Sequence, residues 1–193
     1  MAGTAPPSDP DLPGDPEQPL GDPESVARIV CLRLLERRAM TRAELADALR
    51  RRRIPDDAAA AVLDRFTGVG LIDDAALAET VATAQHGERG LARRAIAGKL
   101  RQRGLAEDVI GAALTGIDSA AERERARELV QRRRTSLTKL PVETQIRRLV
   151  GVLARKGYPP GMAYQVVRDE MAAVPHAGAV LEAGSGLEPG QAD

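Results

Sequence analysis

The stretch ELADALRRRRIPDDAAAAVL, residues 44–63, decides the fold because two similar stretches follow it. They are RAIAGKLRQRGLAEDVIGAAL (94–114) and RRLVGVLARKGYPPGMAYQVV (147–167). With offsets of 51 and then 53 residues, three apolar sets fall in register: Leu45, Ile96, Leu149; Leu49, Leu100, Leu153; and Ile54, Leu105, Tyr158. A repeat of this length indicates an array of supersecondary units that bury their apolar faces against one another. Such an array usually presents a long surface to a large partner.

Apolar spacing and capping signals predict nine helices and no strand. Asp22 followed by Pro23 suits a first helix start, and Thr41 with Glu44 forms a capping box. The expected fold is all-α, with three tandem three-helix repeats of helix-turn-helix shape forming an elongated array. The repeat boundaries are predicted at 22–72, 73–117 and 118–173. One tight turn joins the middle and last helix of each repeat, with Arg53, Gly104 and Gly157 in equivalent positions.

Both ends of the chain differ from this body. Residues 1–21 and 174–193 are poor in large apolar groups, and we predict that both tails are disordered. The formal net charge is zero, but all 28 Lys and Arg lie in residues 25–172 beside only 19 acids, which makes that body +9. A basic body indicates an anionic partner, either nucleic acid or an acidic protein surface.

No constellation of residues in the sequence supports an enzyme. Cys31 is the single cysteine, and its apolar surroundings favour a packed thiol. The two histidines, His86 and His176, are too isolated to form a triad or a ligand set, and no phosphate-binding loop is present. We therefore expect no catalytic residue, no metal and no cofactor. No apolar run is long enough to cross a membrane and no signal peptide is recognisable, so we expect a cytoplasmic protein, as a monomer.

Aromatic and acidic residues have structural interpretations. The chain has one Phe, two Tyr and no Trp, which is a poor supply of stacking platforms for single-stranded nucleic acid. We interpret Tyr158 and Tyr164 as core residues. The adjacent carboxylates Asp73 and Asp74 stand at a helix start, where capping and the helix dipole explain them.

The arginines carry the remaining functional signal. Cations at helix C-termini are favoured by the dipole, but the pairs Arg93–Arg94 and Arg147–Arg148 recur near the starts of equivalent helices. A recurring pair indicates a basic stripe that can bind phosphates or carboxylates bidentately. The candidate contacts are Arg93, Arg94, Arg101, Arg103, Arg147, Arg148, Arg155 and Lys156.

The sequence resembles the RecX family of bacterial regulatory proteins, which modulates the RecA recombinase. Its composition resembles that of the actinobacterial members of this family. The matching segments are CLRLLERRAMTRAELADALRRR (31–52), LDRFTGVGLIDDAALAE (63–79), the frame of Gly90, Ile96, Leu100 and Gly104, and RRLVGVLARKGY (147–158). The block GLIDD is the most specific piece. This chain departs from the family pattern at Leu77, where an aromatic is usual, and at Arg53, where the other repeats have glycine.

The resemblance implies a negative regulator that binds the RecA nucleoprotein filament and inhibits its ATPase, strand exchange and co-protease activities. That role places it in DNA repair, homologous recombination and the SOS response, with possible phosphate contacts to single- or double-stranded DNA. The alternative is a helix-turn-helix protein, such as a transcription regulator, that binds DNA directly. The third and sixth helices are acidic or consist mainly of small and apolar residues, which argues against base readout by the first two repeats.

Overall fold

Nine α-helices and no strand make up residues 21–173, the part of the chain that the computed structural model describes. The helices are α1 (Pro23–Leu35), α2 (Arg42–Arg50), α3 (Asp56–Gly68), α4 (Asp74–Gly87), α5 (Arg93–Gln102), α6 (Glu107–Ala113), α7 (Ser119–Arg134), α8 (Val142–Arg155) and α9 (Pro160–Ala172). The predicted all-α fold with three tandem three-helix repeats is confirmed. The disorder predicted for 1–21 and 174–193 lies outside the described residues, except at Gly21.

Side-chain caps set several helix starts, as the sequence predicts. The Asp22 carboxylate accepts one hydrogen bond from the Ser25 backbone N–H, at 3.1 Å, and a second from the Ser25 hydroxyl. The bond from the hydroxyl, together with the bond from the N–H, lowers the pKa of Asp22. In the capping box, Glu44 N donates to Thr41 Oγ1 at 3.0 Å and Thr41 N donates to Glu44 Oε2 at 2.9 Å. Each satisfied N-terminal donor stabilises its helix by about 1 kcal/mol.

The acidic pair of the GLIDD block caps two different helices. Asp73 accepts from Ala76 N at 2.8 Å and so caps α4, which confirms the structural interpretation. Asp74 Oδ1 accepts from Arg42 N at 2.9 Å, at the start of α2. Ile72, just before the pair, is buried in the first core. The block therefore ties the beginning of α4 to the first repeat.

The chain divides into two compact units, one ending at Leu77 and the other beginning at Ala78. The first unit has one core, in which α1, α2 and α3 pack around Cys31, Leu45, Leu49 and Phe66. Cys31 is fully buried, and burial raises the pKa of its thiol, so it is a packing group. The repeat boundaries 22–72, 73–117 and 118–173 stay a prediction.

The second unit holds two apolar clusters. One joins Ala78 and Ala82 of α4 to Ile96 and Leu100 of α5 and to residues of α6. The other joins α7, α8 and α9, and it also includes Ala92, which precedes α5. All nine residues of the three register sets predicted from the sequence are buried. The apolar positions that repeat along the sequence are therefore the positions that form the buried cores.

The same turn joins the last two helices of every repeat. An amide three or four residues after the helix donates back to a carbonyl in the last turn of that helix. The bonds run from Ile54 to Leu49, from Leu105 to Leu100 and from Tyr158 to Leu153, at 3.3, 3.3 and 3.2 Å. This is the 6→1 bond of a Schellman cap, which requires a left-handed residue. Gly104 and Gly157 supply it with φ of 77° and 88°, and Arg53 adopts it with φ of 57°.

Candidate functional site

The eight candidate cations differ in what their side chains contact, and Arg93 is held within the fold. Arg93 Nη1 donates to the carbonyls of Leu114 and Ile117 at 2.7 and 3.3 Å, just after α6. Its backbone N–H donates to Glu122 Oε1 of α7 at 2.8 Å. The guanidinium thus binds two backbone carbonyls of the segment that joins α6 to α7.

Lys156 is half-buried and is also bound within the fold. Its Nζ donates to the carbonyl of Arg89, in the segment after α4. Partial burial lowers the pKa of Lys156, and the nearby guanidiniums of Arg125 and Arg132 lower it further. Arg125 acts in the same way as Lys156, since its guanidinium donates to the carbonyls of His86 and Gly87 at the end of α4. Sequence reasoning missed Arg125, because the carbonyls that it binds lie 38 and 39 residues away.

The segment between α4 and α5 is held against the third repeat by hydrogen bonds and close packing. Ala92 N donates to the Lys156 carbonyl at 2.9 Å, and the buried Tyr158 hydroxyl donates to the Gly90 carbonyl at 3.2 Å. A Cβ added at Gly157 would lie 2.6 Å from the Cβ of Ala95. Burial raises the pKa of Tyr158 to about 12. The cations at this junction therefore belong to a structural contact between the second and third repeats.

Arg101 and Arg103 are intermediate cases. Arg101 forms an exposed bidentate pair with Glu107, with Nε–Oε1 of 2.5 Å and Nη2–Oε2 of 3.0 Å. The hydrogen bond raises the pKa of Arg101 and lowers that of Glu107. This pair lines a cleft of about 350 Å³ with Arg93, Arg94 and Glu122. Arg103 is half-buried.

Four candidates are exposed and form no ion pair or hydrogen bond with other described residues: Arg94, Arg147, Arg148 and Arg155. Arg94 and Arg147 are equivalent by the 53-residue offset of the repeat. At 100° per residue, Arg147, Arg148 and Arg155 fall within about 100° of one another around α8. Glu143 stands one turn before Arg147. These three arginines, which we name the α8 basic face, are available to a partner.

The prediction that both arginine pairs lie near helix starts is wrong for the second pair. Arg93 and Arg94 open α5, but α8 begins at Val142, which puts Arg147 and Arg148 in its second turn. The cause is Pro141, which occupies the N-cap position and starts α8 four residues earlier in register than α5. Separately, the 53-residue offset aligns Arg94 with Arg147, so the two pairs are displaced from each other by one residue.

The last helices of the three repeats carry different exposed residues at equivalent positions. On α3 these are Asp57, Ala60, Ala61 and Asp64; from α6 onward they are Asp108, Gly111, Ala112 and Thr115; and on α9 they are Gly161, Tyr164, Gln165 and Arg168. All twelve residues are exposed. The prediction that Tyr164 is a core residue is wrong, since its exposed fraction is 54%. The buried side of α9 consists of Ala163, Val166 and Val167, and Tyr164 falls outside that side.

Within residues 21–173, no group of three or more His, Cys, Asp or Glu side chains could hold a metal ion. No helix in that range is long and apolar enough to cross a membrane.

Comparisons with known proteins agree on one family. Models of the RecX first, second and third three-helix domains match residues 27–66, 73–114 and 121–167. A regulatory protein RecX of Thermobifida fusca is 54% identical over 147 residues, covering 76% of this chain and 80% of the relative. One of Mycolicibacterium smegmatis is 49% identical over 175 residues, covering 88% and 92%.

Solved structures show the same fold at low identity. The crystal structure of RecX from Lactobacillus salivarius superposes with a TM-score of 0.69 at 17% identity, covering 78% of this chain and 97% of that one. A second structure, of regulatory protein RecX, gives a TM-score of 0.65 at 23% identity, covering 77% and 72%.

Proposed function

The chain belongs to the RecX family of regulatory proteins, and from that membership we propose that it is a negative regulator of RecA. In this proposal it binds the RecA nucleoprotein filament in the cytoplasm and lowers the filament's ATPase, strand-exchange and co-protease activities. It does so as a binding protein, without chemistry of its own. The observation that carries the proposal beyond family membership is the set of arginines that the fold leaves without partners.

Electrostatics supports an anionic partner for the α8 basic face. Arg147, Arg148 and Arg155 have planar guanidinium forks that match carboxylate or phosphate oxygens bidentately. Because they are exposed, their attraction for a filament of protein and DNA will be screened by salt. Arg94 offers a fourth contact on α5. We therefore narrow the proposed contacts to these four residues.

The other four candidates contribute less in this proposal. Arg93 and Lys156 bind backbone carbonyls, so a partner could recruit them only by breaking contacts that hold α6 or the end of α4. Arg101 is neutralised by Glu107. An exposed pair of this kind adds little net stability because water screens it, so Arg101 could exchange Glu107 for a partner on binding. Arg103 is half-buried, and we give it no separate role.

The test is single-strand-dependent ATP hydrolysis by RecA from the same organism, titrated with this protein at substoichiometric ratios. We expect inhibition well below one molecule per RecA subunit. Arg147→Glu/Arg148→Glu should weaken inhibition at least tenfold, while helicity by circular dichroism stays unchanged. The matched control is Arg33→Glu/Arg37→Glu, which makes the same charge change at exposed positions of the first repeat.

Two outcomes would oppose the proposal. Equal inhibition by the wild type and Arg147→Glu/Arg148→Glu would remove the α8 basic face from the contact. Absence of any inhibition, together with tight binding to naked duplex DNA, would favour a helix-turn-helix protein that acts on DNA directly. The acidic residues Asp57, Asp64 and Asp108 on the last helices of the first two repeats oppose duplex readout by those repeats.

A further inference from the structure

We propose that the exposed face of α9, formed by Gly161, Tyr164, Gln165 and Arg168, binds single-stranded nucleic acid, with Tyr164 stacked on an unpaired base. These four residues are named the α9 face below. The inference goes beyond the proposed function, because it concerns base stacking at a face other than the α8 basic face and requires no RecA.

Tyr164 belongs to none of the apolar cores of the described residues. The residue is 54% exposed and its hydroxyl has no hydrogen bond to the described residues, while α9 packs through Ala163, Val166 and Val167. The equivalent positions in the other repeats hold Ala60 and Gly111, so this site in the repeat does not need an aromatic side chain. The sequence contains one Phe, two Tyr and no Trp, and both Phe66 and Tyr158 are buried. Tyr164 is therefore the one aromatic side chain available to a partner.

The neighbours of Tyr164 suit a nucleotide. Gly161, Gln165 and Arg168 lie three residues before it and one and four after it, which places all of them on the same side of a helix. A Cβ added at Gly161 would meet nothing within 4 Å, so there is room beside the ring. Gln165 can hydrogen-bond a base edge. Arg168 is 3.6 Å from Asp169, and both are 67% exposed, so this loose pair leaves the guanidinium free to bind phosphate.

The charge at the start of α9 also differs from that of its counterparts. The first turns of α3 and α6 contain acidic pairs, Asp56–Asp57 and Glu107–Asp108. The first turn of α9 contains none, since it begins with Pro160 and Gly161. The positive end of the α9 dipole is therefore not opposed by a carboxylate, which favours phosphate near the α9 face.

A single strand fits this face better than a duplex. Stacking on an aromatic ring needs an exposed base surface, which single strands offer and paired, stacked bases do not. Such binding tolerates any sequence, because every base has a flat face. A protein partner would be expected to bury a central apolar or aromatic cluster, whereas the α9 face surrounds its one ring with Gly, Gln and Arg.

The experiment measures binding of a fluorescein-labelled oligothymidylate, and of a duplex of equal length, by anisotropy with RecA absent. Tyr164→Ala should weaken single-strand binding about tenfold, whereas Tyr164→Phe should stay within about twofold of the wild type because the ring is kept. Val142→Ala is the matched control, since Val142 is an exposed apolar residue of the same repeat. Arg168→Ala should reduce the slope of log K against log salt by about 1.

Each other outcome would overturn the inference. Wild-type affinity in Tyr164→Ala would show that the ring makes no contact, and equal losses for the single strand and the duplex would exclude stacking on an unpaired base. Tighter binding of the duplex than of the single strand by the wild type would contradict the predicted preference for unpaired bases. Failure of RecA inhibition by the wild type would overturn the proposed function and leave this result unaffected, because the anisotropy assay contains no RecA.

Discussion

The helices α6 and α9 occupy the same place in consecutive repeats, yet they agree only on their buried sides. Ile110, Ala113 and Leu114 of the second repeat align with Ala163, Val166 and Val167 of the third, and these positions pack in the two cores. On the exposed side, Asp108 and Gly111 align with Gly161 and Tyr164. Packing requires apolar residues of suitable size at the first set of positions, but it requires nothing at the second. The repeats can therefore differ in their binding properties at the exposed positions of equivalent helices.

The largest expected effect concerns the turns that position these two helices. Gly157 precedes α9 with φ of 88°, and an added Cβ would lie 2.6 Å from Ala95 Cβ. Gly104 precedes α6 with φ of 77° at an exposed position. Gly157→Ala should destabilise the protein by about 2–4 kcal/mol, because overpacking adds to the left-handed strain. Gly104→Ala should cost about 1–2 kcal/mol from the left-handed strain at this exposed position.

Urea unfolding followed by circular dichroism would compare the two glycine variants. Equal losses of unfolding free energy would mean that the contact between Gly157 and Ala95 does not tighten the third turn more than the second.

A smaller effect separates the two tyrosines of the third repeat. Tyr158→Phe should cost about 1 kcal/mol at pH 7, because the buried Gly90 carbonyl loses its donor. Tyr164→Phe should leave stability unchanged, since its hydroxyl has no described partner. Thermal unfolding of the two variants measures the difference. A Tyr158→Phe variant as stable as the wild type would show that the hydrogen bond to Gly90 does not contribute to stability.

The contribution of Tyr158 to stability can also be tested by its dependence on alkaline pH. Burial raises the pKa of folded Tyr158 to about 12, while the unfolded side chain titrates near 10. The contribution of neutral Tyr158 is therefore fully present below about pH 10 and is lost as pH rises toward 12. The stability advantage of the wild type over Tyr158→Phe should shrink in that window, and an advantage that stays constant to pH 12 would contradict the raised pKa.

The smallest effect comes from transferring the α9 residues to the second repeat. In a Tyr164→Ala background, Gly111→Tyr/Thr115→Arg should recover at most about threefold of the lost single-strand affinity, because stacking is then opposed by an acidic first turn. The carboxylates of Glu107 and Asp108 remain close to the new ring, and Thr115 lies beyond the end of α6. Full recovery by anisotropy would show that the surroundings of α9 contribute nothing.

The sequence predicts the interior of this protein well. The three register sets, the first of which is Leu45, Ile96 and Leu149, are buried, and the caps at Asp22 and Thr41 form. These features are predictable because burial periodicity and capping depend on residues within a few positions of one another.

The candidate site is less predictable because it depends on distant acceptors. Lys156 donates to Arg89, 67 residues away, and no local pattern distinguishes it from an exposed cation such as Arg155. The apolar neighbours of Tyr164 in the sequence predict a core residue, whereas its alignment with Ala60 and Gly111 indicates an exposed position. Residue type shows which groups carry charge, and only the fold shows which charges are already bound.

The most direct test of the account measures RecA ATPase inhibition and thermal stability together for two double variants. Arg147→Glu/Arg148→Glu changes cations that have no described partner, and Arg125→Ala/Lys156→Ala changes cations bound to the carbonyls at and just after the end of α4. We predict that the first loses inhibition at an unchanged melting temperature, while the second melts several degrees lower and still inhibits when folded. The reverse pattern, with inhibition lost only in Arg125→Ala/Lys156→Ala, would contradict the account.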